Sequence, residues 1–428
     1  MDERINGLKN FLDASVSRFH AVAELVKALQ EKGYIQLNEK DCWQLVPGGK
    51  YYLTRGGSAV MAFRIPKGAA KGFLMSASHS DQPAFKLKEN GELVGKYTRL
   101  ATEKYGSMII STWLDRPLSV AGRVMVQTEK GIESRLVNID RDLLLIPNVA
   151  IHMNRKVNEG MAWNVAVDTL ALAGSPDVAG KLEKLLEETA GGKILGQDLY
   201  LYLREKASVW GMDGEYISSR AIDDLECAWC CTQGFLNAEE SDCIPVLAVL
   251  DCEEVGSASA QGADSRLLVS VLERICKSCD LDIYQMLGQS FMVSADNGHA
   301  IHPNHPEYAD AANAPEMNKG VVLKFNASQS YATDGASAAV FRSVCNKAGI
   351  PVQSFYNRAD LPGGGTLGRI SLAHVTVPTA DIGLAQLAMH SAYETAGVQD
   401  ALYLADAMKC YYSSSLSCPE DGCYIVAK

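Results

Sequence analysis

The sequence has no apolar run long enough to cross a bilayer, and its first residues, MDERINGLKNFLDASVSRFHAV, contain no hydrophobic signal core. A membrane-spanning helix needs about 20 mainly apolar residues, and a secretory signal has an apolar centre near the N-terminus. Both features are missing, which predicts a cytoplasmic protein without a membrane partner. Repeats and low-complexity segments are missing as well, so a repeat architecture is not expected.

An excess of positive charge is also lacking. The chain carries 51 Asp and Glu against 40 Lys and Arg, which gives a formal net charge of -11. An acidic surface repels phosphate backbones and anionic headgroups. Nucleic acid and membrane surfaces are therefore not expected partners.

Disulfide signals are absent, although the chain contains 12 cysteines. The cysteines are scattered over a long chain without a secretory signal, which predicts free thiols. The pairs Cys227/Cys230 and Cys276/Cys279 have the local spacing of zinc ligands, but both lie in helix-like apolar segments. Helical cysteines among apolar residues are usually small core residues, and we interpret both pairs in that way.

The order of segments predicts at least two domains in this chain of 428 residues. Apolar residues recur every three or four positions from Leu12 to Leu25, which predicts a helix. Closely spaced strand-like segments fill residues 82–211, namely SMIISTWL, RVMVQTE, SRLVNI and DLLLIP. From about residue 218 onward, helices alternate with continuous apolar strands, which favours a sheet covered on both faces. We therefore predict an α/β domain built from both ends of the chain, with a β-rich module inserted into it.

Acidic and histidine residues follow three of the predicted strands. They are His79 and Asp81 after GFLMSAS, Glu253 and Glu254 after IPVLAVL, and Asp296 after SFMVSA. Open α/β sheets form their sites in the crevice beyond the carboxyl ends of the strands. These side chains are therefore expected to meet.

Two further segments can join this group. SSRAIDD places Asp223 and Asp224 at the start of a predicted helix, where the helix dipole and free N–H groups favour a carboxylate. His390 lies later, in AMHSAYE. Imidazole and carboxylate ligands suit Zn²⁺, Co²⁺ or Mn²⁺, and two ions about 3.5–4 Å apart can share a bridging carboxylate. Spacing alone does not choose between Asp223 and Asp224 as the bridge.

Adjacent Glu253 and Glu254 can divide the remaining tasks of a metal-dependent hydrolase. One can bind a metal while the other, free of metal, takes the proton of the attacking water. Asp81, two residues after His79, can accept the second ring N–H of that ligand and fix its tautomer. Each pair occurs by chance in long chains, so the prediction depends on their combination at strand and helix ends.

Several motifs together resemble the aspartyl aminopeptidase family of metallopeptidases. They follow the family's order between about residues 11 and 397: SASHSD, STWLDRPLSVAGRV, IPNVAIHMNR, SSRAIDDLECAW, DCEEVGSASAQGADS, VSADNGHAIHPNH, VVLKFNASQSYAT and AMHSAYE. The resemblance implies an α/β fold, with a two-metal zinc-peptidase catalytic domain (a mixed sheet between helices) and an inserted β-rich dimerisation domain. Residues 1–84 and 214–428 would form the catalytic domain, and residues 85–213 the insertion. Self-association into dimers and a homododecamer is also implied.

The resemblance assigns the metal ligands individually. Asp223 would bridge two metals, with His79 and Asp296 completing one site. Glu254 and His390 would complete the other site. The implied cofactors are two divalent metals per subunit, with Zn²⁺ as the first expectation and Co²⁺ or Mn²⁺ as alternatives.

The implied activity is removal of N-terminal residues from short peptides. Glu253 would be the general base, and Asp81 the partner of the ligand His79. Two other functions stay open: an amidase or deacylase acting on N-acyl amino acids, and an oligomeric shell without catalysis. The shell would lack a metal ligand or the base, whereas every one of those positions here carries a competent residue.

Three further residues match family positions that contact substrate. Lys324 in VVLKFNAS would attract an acidic substrate side chain as a point charge, and otherwise would be a surface lysine at a strand end. His152 would reach from the inserted domain into a neighbouring subunit's active site, and otherwise is structural. Tyr331 would hydrogen-bond the tetrahedral intermediate or line the pocket, and otherwise is a packed tyrosine.

Three positions around the expected pocket depart from the family pattern. Ser330 and Tyr393 stand where the family often has arginine, and Cys252 stands where it often has histidine. None of these is a predicted ligand or base. The loss of two arginines favours neutral N-terminal residues as well as acidic ones.

Overall fold

The structure, a computed structural model, describes residues 2–361 and 363–427. Within them the α-helices are α1 (Glu3–Ala14), α2 (Arg18–Glu31), α3 (Val165–Asp168), α4 (Lys181–Ala190), α5 (Ile222–Asn237), α6 (Leu267–Ser278), α7 (Ile283–Leu287), α8 (Gly335–Ala348), α9 (Leu367–Leu372) and α10 (Val398–Ser413). Short 3-10 helices lie at Ile110–Trp113, Val157–Glu159, Pro176–Val178, Glu253–Val255 and Pro306–Tyr308.

The strands are β1 (Ile35–Gln36), β2 (Lys50–Arg55), β3 (Ala59–Arg64), β4 (Phe73–His79), β5 (Ala84–Val94), β6 (Thr98–Tyr105), β7 (Leu118–Thr128), β8 (Gly131–Asn138), β9 (Ala171–Gly174), β10 (Ile194–Leu203), β11 (Ser208–Trp210), β12 (Tyr216–Ser219), β13 (Ile244–Leu250), β14 (Phe291–Ala295), β15 (Gly298–His299), β16 (Val321–Phe325), β17 (Val352–Tyr356), β18 (Thr379–Gly383), β19 (Ala385–Leu387), β20 (Glu394–Gly397), β21 (Ser415–Glu420) and β22 (Cys423–Ala427).

The largest sheet has nine strands in the order β1-β2-β3-β13-β4-β14-β18-β16-β17. Its central strands β13, β4, β14 and β18 run parallel, whereas β3 and β16 pair antiparallel with β13 and β18. The predicted mixed sheet is therefore confirmed. Because parallel strands end at one edge, the residues that follow β4, β13 and β14 lie close together there.

Helices cover both faces of the nine-stranded sheet. Every residue of β4 and β13 is buried, as expected for strands with no face in water. One apolar cluster packs the sheet against α1, α2, α5, α8 and α10. A second packs the other face against α6, α7 and α9. The predicted α/β layering is confirmed.

A second sheet is formed entirely by strands between Ala84 and Leu203. Its six strands, in the order β8-β7-β10-β5-β6-β9, pair antiparallel throughout. Its buried face, mainly from β7 and β10, packs against the apolar side of α4. The strands predicted between residues 82 and 211 thus form a sheet of their own.

Two of the strand-like segments in this region were wrongly predicted. SMIISTWL contains the 3-10 helix Ile110–Trp113, because Thr112 Oγ1 donates to Ile109 O and the Ile109 N–H donates to His390 O. Such bonds replace those of a strand ladder. In DLLLIP the described residues show only isolated bridges, at Leu144 and Leu145.

The predicted N-terminal helix is divided into α1 and α2. The break contains Val16, which packs against Ala121 and Tyr202 of the six-stranded sheet. Ser17 follows and hydrogen-bonds His20 Nδ1 at 2.8 Å. In the part of the chain that the structure describes, no helix combines the length and apolarity needed to cross a membrane.

A third sheet, β11-β12-β20-β19-β15, extends the edge where the candidate site lies. Its strands β15 and β19 directly follow β14 and β18 of the nine-stranded sheet in sequence. Strand β12 leads into Asp223, and the turn between β19 and β20 contains His390. This sheet therefore brings two predicted ligands to the carboxyl edge of the central strands.

Candidate metal and catalytic site

His79 is the last residue of β4 and is buried. Its Nδ1 lies 3.1 Å from the carbonyl oxygen and 3.4 Å from Oδ1 of Asp81. Its backbone N–H donates to Asp224 Oδ2 at 3.0 Å. An imidazole held in this way through one nitrogen presents the other to a metal. The free nitrogen, Nε2, lies 3.6 Å from Asp223 Oδ1.

Asp223 lies where β12 passes into α5. Ala221, two residues before Asp223, has φ 57°, and the Asp223–Asp224 peptide is cis. A left-handed φ is uncommon for a residue with a side chain, and such positions cluster at functional sites. The Asp223 backbone N–H donates to Glu394 Oε2 at 3.0 Å, which fixes the turn.

Glu253 and Glu254 begin the 3-10 helix that follows β13. Cys252, just before them, has a left-handed φ of 64°. The Glu253 N–H donates to Asp81 Oδ1 at 3.1 Å, and the Glu254 N–H donates to Asp81 Oδ2 at 3.2 Å. Asp81 therefore holds the backbone of this loop in addition to contacting His79. The sequence predicted only the contact with His79.

His390 lies in the turn between β19 and β20, with φ 66°. Its backbone N–H donates to Glu394 Oε1 at 2.6 Å. Because the other oxygen of Glu394 accepts the Asp223 N–H, one buried carboxylate fixes two predicted ligands. Glu394 lies within the motif AMHSAYE, but sequence reasoning assigned it no role.

Asp296 follows β14 and packs against β18 so closely that only glycine fits opposite it. A Cβ at Gly383 would lie 1.9 Å from the backbone oxygen of Asp296. Lys324 Nζ lies 3.9 Å from Asp296 Oδ1 and donates to the Asn297 carbonyl oxygen at 3.1 Å. A buried ammonium needs such partners, because leaving it unpaired costs several kcal/mol.

The predicted ligands converge at one place. His390 Nε2 lies 3.5 Å from Asp223 Oδ2 and 3.4 Å from Glu254 Oε2. Ligand atoms of His79, Asp223 and Glu254 lie within 4.8 Å of one another, and so do those of Asp223, Asp224 and Asp296. The two groups share Asp223, whose Oδ1 faces His79 and whose Oδ2 faces His390.

The cluster contains several carboxyl groups, and their burial disfavours the charged form of each. Burial raises the pKa of Glu254 well above its ordinary value, and repulsion by Asp223 adds to this effect. Burial likewise raises the pKa of Asp224 strongly and that of Asp296 to about 6. Burial opposes the charge of Asp223 too, but contacts with His390 and His79 leave its pKa below the usual range. The site is therefore short of positive charge.

Buried oxygens without a hydrogen-bond partner indicate where a positive charge would bind. Asp223 Oδ1, Asp224 Oδ1 and Glu254 Oε1 are buried without a hydrogen-bond partner among residues 2–361 and 363–427. Buried polar atoms are nearly always paired, and exceptions need an explanation such as a bound ion. Imidazole nitrogens and carboxylate oxygens are the ligands that zinc takes at catalytic sites. The residues present thus fit divalent cations.

Glu253 differs from its neighbour Glu254. It is not part of either metal-ligating group found among the described residues. Burial raises the pKa of Glu253 to about 7, with His79 opposing and nearby carboxylates adding to the rise. A carboxylate with a pKa near the working pH is suited to accept and return a proton.

Of the three predicted substrate residues, Lys324 and Tyr331 are buried and His152 is exposed. Lys324 is buried, so the surface alternative is wrong, and its Nζ lies 5.4 Å from the centre of the Tyr331 ring. Tyr331 is buried in a small apolar cluster with Phe355. His152 lies on the exposed irregular segment between β8 and α3, outside the cluster of ligands.

The profile of the family described as Aminopeptidase I zinc metalloprotease (M18) matches residues 11–412. This chain belongs to the M18 peptidase family. A relative from Clostridium novyi (strain NT), named probable M18 family aminopeptidase 2, is 42% identical over 426 residues, covering 95% of this chain and 98% of the relative. The predicted metallopeptidase family is confirmed.

Solved structures agree with this M18 assignment. A chain of the cryo-EM structure of the Ape4 and Nbr1 complex is 34% identical, with a TM-score of 0.93, covering 96% of this chain and 85% of that one. A chain of the S. cerevisiae mApe1 dodecamer is 26% identical, with a TM-score of 0.85, and 96% of each chain is covered. The M18 chain is thus a metal-dependent aminopeptidase with the mixed α/β fold of these structures, and its family is described as a zinc metalloprotease family.

Proposed function

We propose that this M18 aminopeptidase holds two divalent ions in one site and shares Asp223 between them. The supporting observation is that Asp223 presents Oδ1 to His79 and Oδ2 to His390, at 3.6 and 3.5 Å. With Asp223, the pair His79 and Asp296 would hold one ion. Glu254 and His390 would hold the other.

Asp224 is the weaker candidate for the bridge. One of its oxygens already accepts the backbone N–H of His79 at 3.0 Å, so it has a structural task. Its other oxygen has no partner among the described residues, and it lies close enough to Asp296 to add negative charge beside an ion. We therefore assign Asp224 a supporting role, in which it holds the backbone of the ligand His79.

Glu253 is the proposed general base. When bound, the two ions polarise the substrate carbonyl and lower the pKa of a water molecule. Glu253 takes the proton of the attacking water and later gives it to the leaving amine. Asp81 holds the Glu253 backbone, so the carboxylate does not have to be positioned anew in each turnover.

We propose short peptides as substrates, with a neutral N-terminal residue preferred over an acidic one. A cavity of about 470 Å³ is lined by His299, Phe355, Leu387 and Ala388 among others, and Ala388 is two residues from His390. That volume suits a side chain with its neighbouring peptide groups. Lys324 is not among the lining residues, and its charge already faces Asp296. Arg358 does line the cavity, but its guanidinium already pairs with Asp360 at 2.8 Å.

We further propose that residues 1–84 and 214–428 form the catalytic domain and that residues 85–213 carry the dimer contact. Supporting this, several apolar side chains of that segment are exposed, including Ile132, Met153 and Val167. The similarity to a dodecameric structure supports a homododecamer, and we propose the cytoplasm as its location.

His152, exposed in one chain, would reach a neighbouring active site in such an assembly. Light scattering should give the mass of twelve chains, and a monomer would contradict the assembly.

The decisive experiment is Glu253→Gln, with Glu188→Gln on the exposed side of α4 as the matched control. Loss of the base should lower turnover of aminoacyl-anilides by roughly 10²- to 10⁴-fold. Bound zinc, measured by elemental analysis, should equal that of the unmodified enzyme and should be two ions per chain. Unchanged turnover would reject Glu253 as the base, and one ion per chain would reject the shared site.

A substrate panel tests the specificity. Metal-stripped enzyme, with zinc, cobalt or manganese added back, is assayed on Leu-, Asp- and Glu-anilides and on N-acyl amino acids. We expect Leu to be preferred and N-acyl substrates to be inert. Preference for Asp that disappears in Lys324→Met would show instead that Lys324 binds acidic side chains, and hydrolysis of N-acyl substrates would favour a deacylase.

A further inference from the structure

Arg18, the first residue of α2, is largely enclosed at the meeting point of the two larger sheets. Its side chain is 11% exposed, and its guanidinium pairs with Asp251, just after β13, at 3.1 Å. It also contacts the hydroxyls of Tyr105 and Tyr200, at the end of β6 and in β10. The guanidinium lies 4.7 Å from the centre of the Tyr105 ring and 5.1 Å from that of Tyr200. One arginine thus joins α2 to both sheets.

The contact with Tyr105 continues into the active site. Arg18 donates to the Tyr105 hydroxyl at 2.6 Å, and that hydroxyl donates to Asp81 Oδ2 at 2.7 Å. Asp81 in turn accepts the backbone N–H groups of Glu253 and Glu254. Three residues far apart in sequence therefore form one continuous chain of hydrogen bonds that ends on the loop of the base.

Arg18 also acts on the other side of the same loop. Asp251 Oδ1, its ion-pair partner, accepts the N–H of Cys252 at 2.7 Å. The loop residues 252–254 are thus held by two carboxylates, Asp81 and Asp251, with a single cation serving both. Without that cation the two buried carboxylates would repel each other, and the backbone that they hold would shift. Charged hydrogen bonds of this kind are stronger than neutral ones.

We propose that Arg18 and Tyr105 are positioning residues, which set the Glu253–Glu254 loop and the ligand His79 through Asp81. This inference rests on the proposed role of that loop in the metal site. Neither residue touches the ligand cluster, and neither lies in a motif that sequence reasoning assigned to the site. The arrangement makes the geometry of the base depend on contacts from α2 and from the six-stranded sheet.

The test compares Tyr105→Phe with Tyr200→Phe. Each variant removes one hydroxyl that contacts the same guanidinium and keeps the ring beneath it, but only the Tyr105 hydroxyl reaches Asp81. We expect Tyr105→Phe to lower kcat by about 10- to 100-fold with KM within twofold, and to weaken zinc binding in chelator competition by a similar factor. Tyr200→Phe should leave both quantities within about threefold. Arg18→Met should act as Tyr105→Phe does, with partial recovery in Arg18→Lys.

Several outcomes would overturn this inference. Equal losses of kcat in Tyr105→Phe and Tyr200→Phe, in proportion to equal falls in melting temperature, would show that the network only stabilises the fold. Unchanged kcat and zinc affinity in Tyr105→Phe would also show that the Tyr105 hydroxyl does not position the loop. If the unmodified zinc enzyme does not hydrolyse aminoacyl-anilides, the proposed function fails first. An active unmodified enzyme with an unaffected Tyr105→Phe variant would reject only the positioning role.

Discussion

The carboxyl edge of the nine-stranded sheet and the buried face of the six-stranded sheet both enclose side chains, but side chains of different kinds. At the edge, His79, Asp223 and Asp224 are buried with several oxygens that no described residue pairs. In the six-stranded sheet, β7 and β10 bury aliphatic residues such as Val124 and Leu201. One region encloses charge and the other encloses hydrocarbon.

The difference shows that stability and chemistry come from separate places in this protein. Burying apolar area contributes roughly 25 cal/mol per Å², so the interior of the six-stranded sheet stabilises the fold. Burying carboxylates without enough positive charge destabilises it. The edge is held instead by backbone contacts from Asp81 and Glu394. Substitutions in the two regions should therefore affect different quantities.

The largest effect is expected for Glu254→Gln. This change removes a proposed metal ligand, so kcat/KM should fall by at least about 10²-fold. The metal-free protein should keep its free energy of unfolding, because burial and repulsion by Asp223 already raise the pKa of Glu254 and favour its neutral form, which glutamine resembles in shape. Urea unfolding in the presence of a chelator measures this stability. A loss of more than about 2 kcal/mol in the metal-free form would erase the contrast between the regions.

The converse is expected for Leu201→Ala in β10. A buried leucine reduced to alanine leaves a cavity and should lower the free energy of unfolding by about 2–5 kcal/mol. The folded fraction should retain its kcat, since Leu201 belongs to the apolar cluster of the six-stranded sheet. Leu195→Ala, at an exposed position of the same strand, serves as control and should change stability by about 0.5 kcal/mol or less. A kcat that falls in parallel with stability would contradict the separation.

The smallest effect, measured as the change in free energy of unfolding per pH unit, is expected for Glu226→Gln in α5. Burial raises the pKa of Glu226 to about 8 from its ordinary 4.5, although Asn297 donates to one carboxylate oxygen at 3.1 Å. The folded protein thus holds a proton that the unfolded chain releases between these values. Its contribution is full below about pH 4.5 and is lost as pH rises toward 8, at up to roughly 1.4 kcal/mol per pH unit.

Glu226→Gln should therefore flatten the fall in stability of the metal-free protein between pH 5 and 8. Unfolding midpoints at several pH values, compared with Leu201→Ala at the same values, provide the measurement. The leucine variant should keep the full slope, since it carries no titrating group. Equal slopes in the unmodified protein and Glu226→Gln would assign the pH dependence to another group.

Much of the site was accessible from residue order because local rules govern it. Parallel strands end at one edge, so His79, Glu254 and Asp296 could be predicted to meet from the apolar runs before them. Periodicity was less informative in residues 82–211. There SMIISTWL has strand-like composition, yet Thr112 and Ile109 form a 3-10 turn through local and distant hydrogen bonds.

The family, the α/β layering and the set of ligand-type residues at strand ends could be predicted before any coordinates, because they depend on residue types and their spacing. Three-dimensional packing was needed to show that Lys324 faces Asp296, that Glu394 fixes Asp223 and His390, and that Arg18 contacts the loop of the base. These are contacts between side chains far apart in the chain. Their directions depend on how the sheets and helices pack, which neither periodicity nor motif spacing encodes.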